Sequence, residues 1–145
     1  MTSSTVGLGE LIYEVTVNFT EIKEYGVSME AVASGQVAPP PQGARFDVSF
    51  AGASSGPKIK GTITGVDYLN LRADGKAELH IHAELTDEAG EKISFFADGV
   101  ATPREGTPIF DLRENATLTT ASPAYAWVNA LQIGGWEPWI PPREW

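Results

Sequence analysis

A chain of 145 residues with 42% apolar content suits one domain around one core. Its net charge of −9 repels polyanions, so nucleic acid and anionic membrane surfaces are poor partners. No apolar run approaches the roughly 18 residues of a membrane span, and the absence of cysteine removes disulfides, zinc ribbons and thiol nucleophiles together. The first residues, Met1 to Gly9, hold no basic stretch followed by an apolar block. The chain therefore reads as a cytoplasmic protein without a secretory signal.

Alternation dominates from there. Leu11, Tyr13, Val15, Val17 and Phe19 share one face of a predicted strand, with Glu14, Thr16, Asn18 and Thr20 opposite. Residues 23–43 include three consecutive prolines, Pro39 to Pro41, and read as a loop with a short strand around Val27 to Val32. Phe46, Val48 and Phe50 alternate with Arg45, Asp47 and Ser49, and Ala51 to Pro57 reads as a turn rich in Gly and Ser. Lys58 to Leu71 reads as a long strand interrupted by Gly61 and Gly65, where glycine marks a bulge or sharp bend. Ala73-Asp74-Gly75 is a hairpin turn.

In the next strand Ala77, Leu79, Ile81, Ala83 and Leu85 alternate with Glu78, His80, His82 and Glu84. After a turn at Asp87 to Gly90, three further strands are predicted at Ile93 to Val100, Ile109 to Thr119 and Tyr125 to Ile133. Residues 134–145 form a Trp- and Pro-rich tail, expected to pack over a barrel end or to join a homo-oligomer. About seven to nine strands with regular hairpin turns predict an all-β chain forming one domain over residues 1–145. The expected architecture is a single antiparallel up-and-down β-barrel of about eight strands, whose lumen holds side chains or one small ligand.

Several pieces of the sequence support a family resemblance. They are Gly52 to Gly61, Gly65-Val66-Asp67-Tyr68 leading to Arg72-Ala73-Asp74-Gly75, and Glu88 to Ile93. Gly99, Arg113 and Tyr125-Ala126-Trp127-Val128-Asn129 complete the set. In order and spacing they resemble the domain-of-unknown-function family 3237, small proteins with a calycin-like barrel. The resemblance implies a barrel of about eight strands and marks Asp67, Arg72, Arg113, Trp127 and Asn129 as family-pattern positions. It implies no defined activity.

His80 and His82 are the only two histidines, and imidazole alone titrates near neutral pH when unperturbed. A strand rise of about 3.3 Å per residue would put them about 6–7 Å apart on one face. Either could act as general acid or base beside Glu78 or Glu84. An ordinary solvated strand face would look the same. His-x-His with Glu84 also suggests half a metal site, but no third histidine exists for a cupin-like set, and no metal is assigned.

Asp67 follows Ile59, Gly61, Ile63 and Gly65 at even spacing, which places it on the apolar face unless a bulge intervenes. There it would be desolvated, or paired with Arg72 or Arg113. Tyr125, Trp127 and Asn129 alternate with small residues and could orient a polar group of an apolar ligand, or serve as core with Asn129 satisfied by backbone. No nucleophile elbow, phosphate loop or dinucleotide fingerprint is present, so no cofactor is implied.

The resulting expectation is a cofactor-independent isomerase, cyclase or lyase acting on a small apolar molecule by proton transfer. His80, His82, Asp67 and Arg113 would be catalytic, and Arg72, Tyr125, Trp127 and Asn129 would bind substrate. A non-catalytic carrier of a small hydrophobic ligand is the alternative. If the histidine row faces water, Asp67 and Asn129 take its place.

Overall fold

The computed structural model describes residues 9–141. Its strands are β1 (Tyr13–Glu24), β2 (Ala44–Pro57), β3 (Lys60–Leu71), β4 (Ala77–Asp87), β5 (Lys92–Pro103), β6 (Phe110–Thr119) and β7 (Ile133–Trp139). A short helix α1 (Met29–Ala33) lies between β1 and β2, and a 3-10 segment (Pro123–Ala130) between β6 and β7. Every strand pairs antiparallel with its neighbour in chain order. The architecture is all-β and up-and-down, as the spacing of turns predicts.

Several features differ from expectation. Among the described residues the sheet has seven strands and no ladder joins β1 to β7, so it forms a curled, open barrel instead of a closed one of eight. The Gly/Ser stretch Ala51 to Pro57 continues β2 and does not turn. The Trp/Pro tail, expected to pack over a barrel end or onto a neighbouring copy without being a strand, supplies β7 from its first half, paired with β6 from Ala116↔Ile133 to Phe110↔Trp139. Pro138 is tolerated there because β7 is an edge strand with a free side. The expectations for Met1 to Leu8, the missing secretory signal among them, and for Pro142 to Trp145 lie outside the described residues.

The glycines also act differently from a bulge signal. Registers across Gly61, Gly65 and Gly99 are unbroken. At each, the neighbouring strand's backbone lies against the position where a Cβ would project. They mark points of close backbone approach, where the sheet curls. Among the described residues the only register shifts lie in the β1–β2 ladder, between Tyr13 and Val15 and between Phe19 and Glu21.

Residues 27–32, expected as a strand, contribute to α1 because capping chemistry favours a helix there. The Ser28 hydroxyl accepts from the Ala31 N–H at 3.2 Å, and the Glu24 carboxylate accepts from the Met29 N–H at 2.7 Å. Tyr125 to Ile133 is likewise not a strand. Pro123 opens the 3-10 segment, and Val128 from it is fully buried. Val128, Ile59, Leu85, Ile93 and Leu118 are core residues that do not border any open space inside the barrel. The rest of the interior, reached by Met29 and Val32 of α1, is hollow.

Candidate functional site

The hollow follows from side-chain size. Ala77, Ala101, Ala116 and Gly135 point inward, while β1 and β2 contribute Tyr13, Phe46 and Phe50 to the opposing wall. The result is a cavity of about 1400 Å³, mostly apolar, with Met29 and Val32 of α1 at one end. Among the described residues no Lys or Arg lines it. Four inward polar side chains do: Tyr13, Asp67, Glu114 and Glu137.

Asp67 occupies the inward position that its even spacing predicts. The β3–β4 ladder lapses between Asp67↔Ile81 and Asn70↔Glu78 without changing register. In that gap the His80 backbone N–H donates to Asp67 Oδ1 at 3.0 Å, replacing a ladder hydrogen bond with a side-chain one. Burial nevertheless pushes the Asp67 carboxyl up to about 6, against the lowering effect of that donor. Neither Arg72 nor Arg113 pairs with it. Arg72 binds Asp74 within its own hairpin at 2.5 Å, and Arg113 lies over the Trp136 ring on the outer face, 5.2 Å from its centroid.

Glu114 is inward because it falls in register with Phe110, Leu112, Ala116 and Leu118 on β6. Burial, then the charge and hydrogen bond of Glu137, then the charge of Asp67 push its carboxyl up to about 8. Among the described residues Glu114 Oε1 is enclosed with no hydrogen-bond partner. Tyr13 meets the edge of Phe95 at 6.4 Å and 74°. Burial and the nearby Glu114 and Glu137 charges raise its phenol, keeping it neutral.

The histidine row looks the other way. Ala77, Leu79, Ile81 and Leu85 fill the inner face of β4, and Glu78, His80, His82 and Glu84 are exposed. This departs from a lumenal role for the imidazoles, and the reason is the simple one of apolar burial. His82 instead belongs to an outer cross-strand cluster, 5.9 Å from Tyr68 and 5.0 Å from Phe96, and Arg45 lies over the Tyr68 ring at 5.3 Å. Replacing both histidines with Gln should leave lumenal binding of a fluorescent probe unchanged. It should lower stability by about 0.5–1 kcal/mol through lost cross-strand contacts. A tenfold loss of probe affinity would place the imidazoles in the site after all.

Tyr125, Trp127 and Asn129 likewise lie outside the lumen, on the 3-10 segment. The Tyr125 hydroxyl donates to Asp87 at 2.5 Å, and Lys58 lies over the Trp127 ring at 5.6 Å. Asn129 clamps Thr120, accepting from its N–H at 3.0 Å and donating to its carbonyl at 2.8 Å. These contacts seat the segment on the barrel end. Of the eight predicted residues, only Asp67 enters the lumen. Glu114 was readable from the period of its strand, whereas Glu137 required recognising the tail as β7.

Among the described residues no His, Asp and Glu side chains assemble into a group of three able to hold a metal, and no helix is long and apolar enough to cross a membrane. Fold and site together define a class: a small up-and-down β protein with carboxyl groups inside an apolar, barrel-like lumen. The chain belongs to the family described as "Protein of unknown function (DUF3237)", whose model matches residues 11–140. It is similar to a protein of unknown function from Clostridium acetobutylicum ATCC 824, at 22% identity and TM-score 0.70, covering 86% of this chain and 85% of that one. A β-barrel-like protein from Acinetobacter baumannii AYE is 18% identical with TM-score 0.61, covering 83% and 82%. At these identities both likenesses concern the fold. No curated protein matches the chain.

Proposed function

We propose that the lumen binds a small, uncharged, largely apolar organic molecule and that Asp67 and Glu114 move one of its protons. The observation carrying this reading is the pair of carboxyls set apart within one apolar cavity, near 6 for Asp67 and near 8 for Glu114. At pH 7 the first is mainly a carboxylate and the second mainly an acid, the division of roles that general acid–base catalysis uses. The apolar walls and, among the described residues, the absence of lining Lys or Arg favour a neutral ligand over a carboxylate or phosphate.

The chemistry is that of a carbonyl compound with an acidic α-hydrogen. Asp67 takes the α-proton, the C–H electron pair forms the enol double bond, and the carbonyl oxygen receives the proton of Glu114. Where the carbonyl compound carries a β,γ double bond, the dienol takes the proton held by Asp67 at its γ-carbon while its O–H proton returns to Glu114, which completes an isomerisation to the α,β-unsaturated compound and needs no cofactor. A carrier is the second reading, favoured by the size and apolar lining of the cavity alone.

Incubation with α-tetralone in D₂O, followed by NMR, tests the choice. Exchange of the α-hydrogens should rise with pH through about 6 and fall through about 8. Asp67→Asn should slow it by about 100-fold while N-phenyl-1-naphthylamine still binds. Probe binding without any catalysed exchange would leave the carrier and overturn the enzyme. Failure of both would remove the lumen as a binding site.

A further inference from the structure

The structure assigns the unpaired seam between β1 and β7 as the mouth of the lumen, with the Phe19–Trp139 ring stack as its gate. On β2 to β6 the cavity touches inward residues at alternate positions, such as Phe46, Val48 and Phe50. On the two edge strands the pattern changes. Every residue from Gly9 to Phe19 and from Ile133 to Ile140 borders the same space, so inner and outer faces are reached together. A cavity touches both faces of a strand only where it runs out past that strand's edge.

Three further observations agree. Among the described residues no ladder closes the seam, and Pro138 offers no N–H with which β7 could form a complete one. The cavity of about 1400 Å³ exceeds the roughly 300–1,000 Å³ of ordinary enclosed ligand sites, as expected if it continues into an opening. Across the gap, Phe19 of β1 stacks on Trp139 of β7, with centroids 5.9 Å apart and planes at 13°. Trp139 is steadied edge-on by Phe110 at 5.9 Å. Phe19 is 36% exposed, so its ring can swing outward without opening the core. Side-chain rotation at an exposed site takes picoseconds to nanoseconds, far faster than separating paired strands.

The inference deepens the reading of the lumen as a binding site and rests on it for its biological purpose, but its test needs no ligand. The chain has no cysteine, so a single introduced thiol reports access. Ala116→Cys and, separately, Ala101→Cys place one at an inward lumen position. The rate of reaction with 4,4′-dithiodipyridine is then compared with and without Phe19→Ala or Trp139→Ala. Removing either ring should raise the rate at least tenfold at both reporters, with no matching fall in the urea midpoint. Rates that stay constant, or that follow the urea midpoint, would overturn the gate. Acceleration by Met29→Ala instead would move the mouth to the α1 end, and protection that grows with protein concentration would make the seam a contact between copies. A lumen that binds neither α-tetralone nor N-phenyl-1-naphthylamine would still give the labelling result, so the two readings fail separately.

Discussion

Replacing Glu114 with Gln should stabilise the protein by about 2–4 kcal/mol at pH 8.5 and change little at pH 4. The folded-state carboxyl titrates near 8 against an ordinary value of 4.5, chiefly because it is buried and secondly because Glu137 is beside it. Between those values the folded protein holds a proton that the unfolded chain has lost. Stability therefore falls as pH rises through the window and is fully present only below it. Asp67 adds a smaller loss of the same sign between 3.8 and about 6. Gln keeps the shape but carries no charge to desolvate. Urea unfolding at pH 4, 6 and 8.5 measures the difference directly. A wild-type stability that stays level from pH 4.5 to 8 would show that Glu114 is hydrated and ordinary, and the acid assigned to it would be lost. The same substitution should slow tetralone exchange and remove its fall above about pH 8, so stability and activity would move in opposite directions. Such a trade is expected where a fold retains a costly buried group for chemistry.

The second large effect concerns curvature. Gly99→Ala should destabilise the fold by about 3 kcal/mol, the upper part of the range for overpacked sites. A Cβ there would lie 2.0 Å from the Arg113 carbonyl oxygen, and that atom is backbone, so β6 itself would have to shift. Gly134→Ala, on β7 with nothing within 4 Å of its Cβ, is the matched control. In open space alanine loses less backbone entropy than glycine, so Gly134→Ala should be neutral or stabilising by up to about 1 kcal/mol. Denaturant midpoints of the two variants should thus move apart. Equal and small effects would mean that the strands do not approach as closely at Gly99, and the curl of the sheet would need another cause.

These two variants also show what period and spacing convey. Glu114 shares the apolar row of its strand with Phe110, Leu112 and Ala116, so its place on that row follows from alternation alone, as does that of Asp67. Alternation separates two faces but does not say which one the sheet will bury. On β4 the apolar row won, because burying Leu79, Ile81 and Leu85 outweighs enclosing two glutamates and two imidazoles. Glycine within a strand announced a departure from flat pairing. Only the contact with the neighbouring backbone distinguished close approach from a bulge.

The tail shows the converse. Trp136, Pro138 and Trp139 have no strand signature, and Pro138 argues against one. Pairing to β6 made this segment β7, because Ile133, Gly135, Glu137 and Trp139 could extend an inner face that β6 had already begun. Tyr125, Trp127 and Asn129 alternate as a strand would, yet Pro123 and the Asn129 clamp on Thr120 bend them into a barrel cap.

By itself, then, the sequence determined an all-β, up-and-down chain, most of its strands, and the apolar face on which Asp67 and Glu114 lie. These depend on local period and turn chemistry, which act over a few residues. Only the tertiary structure decided that β1 and β7 stay unpaired, that the histidines face outward, and that Asp67, Glu114 and Glu137 share one cavity. Each of those depends on how far the sheet curls, and curl is the sum of backbone approaches between strands far apart in the chain.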